Sequence, residues 1–497
     1  DNGDFSLSFD GVDDYVQMNN SIPVEVFTYS VSLYPYNLSD QYVTILNNGA
    51  ESGGCRIRLK NDGKITLVKN NIVTLGESTL NLIFNVWNHI LVIYDQNGNV
   101  DFYINGIFSN TVNNSQTFDY NGDFFIGKTY GSPFFEGIIN DVALWDQAFG
   151  AELASGLSNG TIIPSQYAEN DLFGYWNFNA GEGETLYDHS GNANHGTISG
   201  ATWVENIYGC TDPYADNYNS EANWDDGSCT YPDNGDYSLS FDGDDDYVGF
   251  SNSSDFDVVD ELTIAAWIKP DEVTNASIVD RLPYGGDTGY RLNTRVDGEI
   301  WAQFGTGGSH DVAKTGIDYY SVGESIHIVG VFKNSDYVKL YVNGSLIDSV
   351  STAKSFSTDK SLEFGRWYNT IGDNELFNGN IDEISIWNTA LSESEIQSYI
   401  STPPTGNESG LAGYWKFDAN EGETLYDHSG NANHGTIYGA TWSTDVPASH
   451  TYVPDDNFEQ ALIDLGYDDV LDDYVLTENI SGVTSLDVNN KEISDLT

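Results

Sequence analysis

Residues 182–198 read EGETLYDHSGNANHGTI, and the same seventeen residues return unchanged at 421–437. Each copy follows an aromatic strand, GYWNF at 174–178 and GYWKF at 413–417, and precedes the same GATW at 200–203 and 439–442. Identity of that length does not arise by chance, so the chain has to be read as a tandem repeat first. A spacing near 240 residues is too long for a solenoid unit and long enough for a complete core. Two whole domains are therefore expected.

Apolar runs are short, alternate with polar residues, and are broken by Asn-Gly, Asp-Gly and Gly-Asn pairs, the pattern of an antiparallel β protein. Both copies open on DNGD(F/Y)SLSFDG, at 1–11 and 233–243. In the first, Phe5, Leu7 and Phe9 alternate with serines, so a half-buried strand is expected to run into an acidic turn. Pro35 and Pro270 close the next strand, where Trp267 stands opposite Ser32 of copy one. Hairpins at 55–68 and 290–304 turn on Asp62–Gly63 and Asp297–Gly298. They align Arg56 with Arg291. His89 and His327 occupy matching strand positions without a second histidine nearby, so each reads as an interior hydrogen-bonded residue and not as a ligand. Residues 390–400 (ALSESEIQSYI) predict a helix with Ser392 as N-cap and Glu395 completing a capping box. The counterpart AFGAELASGL at 148–157 carries a weaker signal.

Four segments follow: domains at 1–205 and 233–445, a spacer at 206–232, and a tail at 446–497. The spacer has almost no apolar content and reads as a pinned linker. Cys210 and Cys229 bracket its loop, which predicts a disulfide worth ~3 kcal/mol on the loop-entropy model and an oxidising compartment. Cys55, alone in a strand, reads as a small buried hydrophobe. In the tail, 453–469 predicts an amphipathic helix with Phe458, Leu462, Ile463 and Leu465 on one side. Leu486, Val488, Ile493 and Leu496 then fit leucine-rich repeat spacing. One such repeat cannot bury its own face, so the array is expected to continue beyond Thr497. With its start at Asp1 and no signal peptide, the chain reads as a mature segment or a fragment.

The net charge of −58, from 76 acidic and 18 basic residues, argues against nucleic acid, whose phosphates need clustered Lys and Arg. It argues equally against anionic membrane surfaces. No apolar run approaches the ~20 residues that span a bilayer. Solubility in a salty exterior and hard-cation binding by oxygen ligands both remain open.

Taken together, LSFDGxDDYV at both domain starts, LTIAAWIKP, the KLYVNG and DFYING strands, NGNIDEISIWNTALSESEI and YDHSGNANHGT resemble the concanavalin A-like, laminin-G-like jelly-roll family of bacterial secreted and surface proteins. The resemblance covers both domains and implies an all-β fold of two antiparallel β-sandwiches. The tail looks like the N-terminal cap of a bacterial leucine-rich array. One departure stands out: most members place YDHSGNxNHGT before the FDGxDDYV strand, whereas here it follows the sandwich. Two complete, circularly permuted domains account for this order, since sandwich termini lie close together. The alternative assigns the segment to the following FDG strand.

For chemistry, DHSGNANHG offers Asp188, Asn192 and Asn194, with Asp427, Asn431 and Asn433 in copy two, on a loop able to wrap calcium. Asp10 and Asp242 are candidates for the same rim, and the resemblance implies a structural calcium. The competing reading is an Asx-turn loop that satisfies its own backbone. Glycan recognition needs exposed aromatics with a few polar groups. Arg281, Tyr284, Tyr290, Arg291, Trp301, Trp367 and Tyr368, with Arg56 in copy one, are the candidates. Clustered carboxylates of the glycosidase kind are not found, since Asp382 and Glu383 are neighbours and should face opposite ways. GATW is similar to the tail of a sialidase Asp-box, but Ile198 stands where the aspartate belongs. The expected function is a non-catalytic, extracellular binding module for polysaccharide or a glycosylated surface. The alternatives are a spacer or protein-binding adhesin that presents the leucine-rich region, or an accessory part of a larger carbohydrate-active enzyme.

Overall fold

The structure is a computed structural model. It describes residues 3–493 other than 19–21, 23, 50–52, 70–72, 121, 132, 159, 169–170, 252–255, 257–259, 284–287, 307, 358–359, 369–374, 448–449, 454, 469–473, 477–479, 481–482, 484, 487, 489–490 and 492. The protein is all-β with three short helices among these residues, and each domain folds as two antiparallel eight-stranded sheets.

The strand Phe5–Asp10 lies between Glu136–Trp145 and Thr202–Glu205, setting Leu7 opposite Ile139 on one side and Trp203 on the other. Tyr15–Met18 pairs with Gly196–Ser199, Val16 opposite Ile198. Copy two repeats both closures, with Leu239 opposite Trp442 and Val248 opposite Ile437. The repeated stretch therefore seals the domain that precedes it. That excludes its assignment to the next FDG strand.

Alternation sends Leu7, Phe9, Val31, Leu33, Ile57, Leu67, Ile139 and Trp176 into one core, and Leu239, Phe241, Ile264, Leu292, Phe304, Ile381 and Trp415 into its counterpart. The predicted helix forms at Glu393–Ser401 with the full capping box and packs Ile396 among Trp387, Val329 and Tyr414. Its weaker counterpart, Ala151–Ser158, packs Leu153 and Ala154 with Trp145. The first sheet is thus covered on both faces, and Phe27–Pro35 is accordingly buried almost throughout. The outer face of the second sheet is left to carry polar groups.

His89 and His327 are both interior, although the buried Nδ1 of His327 lacks the expected hydrogen-bond partner among the described residues. Burial lowers them to about 4 and about 3, His89 lies 2.8 Å from Ser30 Oγ, and His327 packs on the Trp267 ring. Cys210 and Cys229 are disulfide-bonded, and Cys55 is a buried free thiol. The chain divides into two compact units, Asp1–Thr211 with Asn219–Asp226, and Asp212–Tyr218 with Gly227–Thr497. The spacer is more than a tether, because part of it packs in each unit. Within the first, Trp224 lies 4.0 Å from the Trp87 ring. In the tail, helix Asp456–Leu465 is capped by Asp455 and ends on left-handed Gly466. Most of 483–497, Leu496 included, lies outside the described residues.

One expectation needs correcting. Strand alternation should separate Asp382 from Glu383, but the register slips between Ala265 and Trp267, and Glu383 takes a φ of 47°. This bulge cancels the alternation. Both carboxyls are pushed upward by burial, and both also feel Asp418 and Asp236. Asp141 of copy one, at φ 44°, sits on the same bulge and is raised to about 6 by burial.

Candidate functional site

Register makes the two copies directly comparable. Across the outer face of the second sheet, one row reads Gln17, Phe125, Asn47, Arg56 and Val68 in the first domain. The same row reads Gly249, Glu363, Asp280, Arg291 and Gln303 in the second. The two arginines aligned in sequence hold one position in space. Arg56 is fully buried, with Nε donating to Asn47 Oδ1 at 2.6 Å, so its candidacy as a ligand group gives way to a structural role. Arg291 is also buried, yet it anchors a larger network.

The next row reads Thr44, Arg58, Thr66 and Glu77 in copy one, and Ser277, Asn293, Trp301 and Lys314 in copy two. Trp301 therefore replaces a threonine. The same exchange recurs after the glycine that ends a neighbouring strand, where copy one reads GKTY (127–130) and copy two reads GRWY (365–368). On one scaffold, the second domain alone gains two tryptophans.

Cations hold these rings in place. Trp301 donates from Nε1 to Glu299 at 2.7 Å, with the Arg295 guanidinium 4.6 Å above its ring. Glu375 pairs with Arg295 at 3.0 Å and with Arg291 at 2.6 Å. Arg291 in turn lies 5.2 Å from the Trp367 ring. Arg366 bridges Tyr247, at 3.3 Å, and Tyr368, at 5.6 Å, and Tyr247 stacks on Tyr438. Tyr368 is 51% exposed. Trp301 is half-buried, with Lys314 5.6 Å from its ring besides Arg295. Trp367 is buried, with Nε1 donating to the Leu282 carbonyl at 3.0 Å. Of the three rings Tyr368 alone is therefore largely exposed, and exposed aromatic faces are what a pyranose stacks on.

Of the remaining ligand candidates, Tyr290 is buried and packs against Phe332 and Phe356. Arg281 is buried with Nε donating to the Lys360 carbonyl at 2.7 Å. Neither reaches a ligand. Tyr284 lies outside the described residues. Sequence reasoning missed Arg295, Arg366 and Glu375. Their signal was present in the rarity of cations in so acidic a chain, but Glu375 joins them only through the fold.

The repeated loop is a hydrogen-bond staple. Asp188 accepts from the N–H groups of Tyr175 (3.0 Å), Ser190 (2.9 Å) and Asn194 (2.8 Å), and from Ser190 Oγ (2.9 Å). Asp427 repeats this with Tyr414, Ser429 and Asn433, each contact at 2.9 Å. Asn192 and Asn194 donate to the Phe173 carbonyl, and Asn431 and Asn433 to that of Ala412. With the carboxylates filled by donors, this loop does not fit a cation. Asp10 and Asp242 group elsewhere. Asp10, Asp13 and Asp14, and equally Asp242, Asp245 and Asp246, bring carboxylate oxygens within 4.8 Å of one another. The buried members are Asp14 and Asp246, whose pKa values are raised first by burial and further by the neighbouring aspartates. The glycine of GATW serves this turn, since a Cβ on Gly200 would fall 1.9 Å from Asp14 Oδ1. Three converging carboxylates are a hard-oxygen donor set that fits calcium.

Comparison with known proteins agrees with the fold. A family model described as the concanavalin A-like lectin/glucanases superfamily matches residues 10–153 and 242–397. The chain is similar to a protein described as carbohydrate-binding from Bacteroides ovatus, at 13% identity over 88% of this chain and 95% of that one, with a TM-score of 0.34. It is similar to domains LG4-5 of the mouse laminin α1 chain, at 10% identity over 78% and 91%, TM-score 0.25. It is also similar to domain 4 of AbnA, an extracellular arabinanase from Geobacillus stearothermophilus in complex with arabinotriose, at 20% identity over 31% and 76%, TM-score 0.27. No curated protein matches at a significant level. Matched over more than half of its length in two repeats, the chain belongs to the concanavalin A-like lectin/glucanases superfamily.

Proposed function

We propose that the protein is a non-catalytic, extracellular carbohydrate-binding module whose second domain engages polysaccharide or a glycosylated surface through the outer face of its second sheet. The observation that carries this is the cation-backed pair of half-buried Trp301 and exposed Tyr368 beside the buried Trp367; the first domain has Thr66 and Thr129 in place of the two tryptophans. The carboxylates of that face are committed to neighbours: Glu375 to Arg291 and Arg295, Glu299 to Lys314, Glu363 to Arg366. Acid and nucleophile roles at a glycosidic bond require carboxyls free of such pairing. The disulfide and the laminin-G-like domains support an oxidising, extracellular setting. No helix among the described residues is long and apolar enough to cross a membrane.

The test is a glycan array probed with the full chain in calcium and again in EDTA. Binding to a defined sugar class is expected, and Trp301→Ala or Tyr368→Ala should weaken it about 30-fold, the ~2 kcal/mol of an aromatic hot spot. A blank array from folded protein in both conditions would overturn the reading.

We also propose that calcium binds at the two acidic turns, Asp10–Asp13–Asp14 and Asp242–Asp245–Asp246, and not at the repeated loop. Saturating calcium should then raise the melting temperature by about 5 °C, since a ligand at 100 times its Kd contributes ~2.7 kcal/mol. The Asp13→Asn/Asp245→Asn double variant should lose that shift. A shift that survives there and disappears in Asn192→Ala/Asn431→Ala would return calcium to the repeated loop.

A further inference from the structure

In the second domain, strand pairing sets Asp280, the last residue of Ala276–Asp280, directly opposite Glu363, the first residue of Glu363–Phe364. Residues paired across an antiparallel ladder share a face, so the two carboxyls project to the same side of the sheet. Asp280 is fully buried. Its Oδ1 accepts from the Leu282 N–H at 3.2 Å, and its Oδ2 receives the Lys360 ammonium. The Lys360 backbone is itself pinned, since its carbonyl accepts from Arg281 Nε at 2.7 Å. Glu363 uses Oε1 for Arg366. Its Oε2 is buried, has no hydrogen-bond partner among the described residues, and lies 3.9 Å from Lys360 Nζ. An amine, a carboxyl and a second carboxylate thus converge in one largely buried place.

The three groups come as a set. Counting back from the matching glycines Gly127 and Gly365, the first domain has Gly122 for Lys360 and Phe125 for Glu363. Its register puts Asn47 where Asp280 stands. An ion pair needs only two members, and a buried one is a weak source of stability because desolvation offsets the attraction. A pair alone also leaves the unused oxygen of Glu363 without a purpose. Burial raises Asp280 to about 6, against the pull of Lys360 and Arg291, so this carboxyl takes up a proton close to neutral pH.

We propose that Lys360 and Asp280 become joined by an intramolecular amide bond, formed by their own side chains with Glu363 as the proton carrier. Glu363 Oε2 takes one ammonium proton from Nζ and delivers it to Asp280 Oδ2, which leaves a neutral amine beside a neutral acid. The Nζ lone pair then adds to Cγ and forms the C–N bond, while the charge that develops on Oδ1 meets the Leu282 N–H. A second proton passes from the nitrogen through Glu363 to Oδ2, the Cγ–Oδ2 bond breaks, and one water leaves. Contact held by the fold supplies the proximity such an acyl transfer needs, and a site poor in water favours the amide over its hydrolysis. The bond ties together positions 80 residues apart and so removes freedom from the unfolded domain. It forms whether or not the domain binds a glycan.

The experiment is intact-mass spectrometry of the full chain, reduced and denatured after folding, followed by tandem spectra of its tryptic digest. We expect the chain to weigh one water less than its sequence, about 18 Da, and to yield a branched peptide joining the segment that holds Asp280 to the one that holds Lys360. Lys360→Arg keeps the ion pair without an acylable amine, so it should restore the full mass. Glu363→Gln should carry at least tenfold less of the amide than the parent chain after the same time. The parent chain decides the matter even if a variant folds poorly: a full mass in folded parent protein would overturn the proposal. A missing water that persists in Lys360→Arg would place the dehydration elsewhere and overturn it too. Complete joining in Glu363→Gln would overturn the role given to Glu363.

Discussion

Replacing Asp427 by alanine should lower the melting temperature of the second domain by about 10 °C while leaving the first domain's transition in place. Its carboxylate is fully buried and accepts four donors at 2.9 Å. Burial pushes its pKa upward, and the N–H groups of Tyr414, Ser429 and Asn433 pull it back. Deletion leaves three backbone N–H groups and a hydroxyl without an acceptor, each costing ~1–3 kcal/mol, partly recovered by relaxation, for a net ~3–5 kcal/mol. The loop also holds the Asn433 carbonyl that accepts from Trp415 Nε1 at 3.0 Å, so the damage reaches the core. Asparagine should rescue little, because its amide would present a donor to either the Tyr414 or the Asn433 N–H. Calorimetry of the full chain gives both transitions at once. An unchanged second transition in Asp427→Ala would remove the staple from the account.

The second large effect is on pH dependence. Burial raises Asp382 and Glu383 above the ordinary carboxyl range, with further push from Asp418 and Asp236, and Asp418 itself is raised to about 6 by burial. Tyr414 donates to Glu383 and opposes its rise. A raised folded pKa means the folded state keeps a proton that the unfolded state has released. The stability from these groups is therefore fully present below pH ~4 and declines as pH rises through 6 and beyond. Glu383→Gln keeps an acceptor for Tyr414 and removes one buried anion. It should stabilise the second domain at pH 8 by ~1–3 kcal/mol and flatten its stability between pH 5 and 8. Denaturant titrations across that range would show it, and a parallel offset with an unchanged slope would contradict the assignment.

Much of this was legible in the chain itself. The capping box at Ser392 and Glu395 and the Asp-Gly hairpins are written in residues a few positions apart, where local geometry leaves little choice, and the disulfide in the two cysteines, Cys210 and Cys229, that bracket one short loop. The interior character of His89 and His327 followed from the lack of a second ligand nearby. Asp188 and Asp427 were harder. Aspartate and asparagine on a glycine-broken loop serve equally as cation ligands and as acceptors for backbone N–H groups. The choice depends on which donors the fold brings from strands Leu172–Trp176 and Leu411–Trp415. The bulge at Glu383 could not be read either, because it arises where a strand is held between partners of different register.

By itself, the sequence determined the duplication, the antiparallel β class and the alternation that sorts core from surface, because these rest on short-range periodicity and on identity between copies. Tertiary structure alone decided that the repeated stretch and the GATW strand close on the opening strands of their own copy, and that Arg56 and Arg291 share one register position while only the second sits in an aromatic network. Each of these depends on residues far apart in the chain meeting across a sheet, and no local pattern encodes such a meeting.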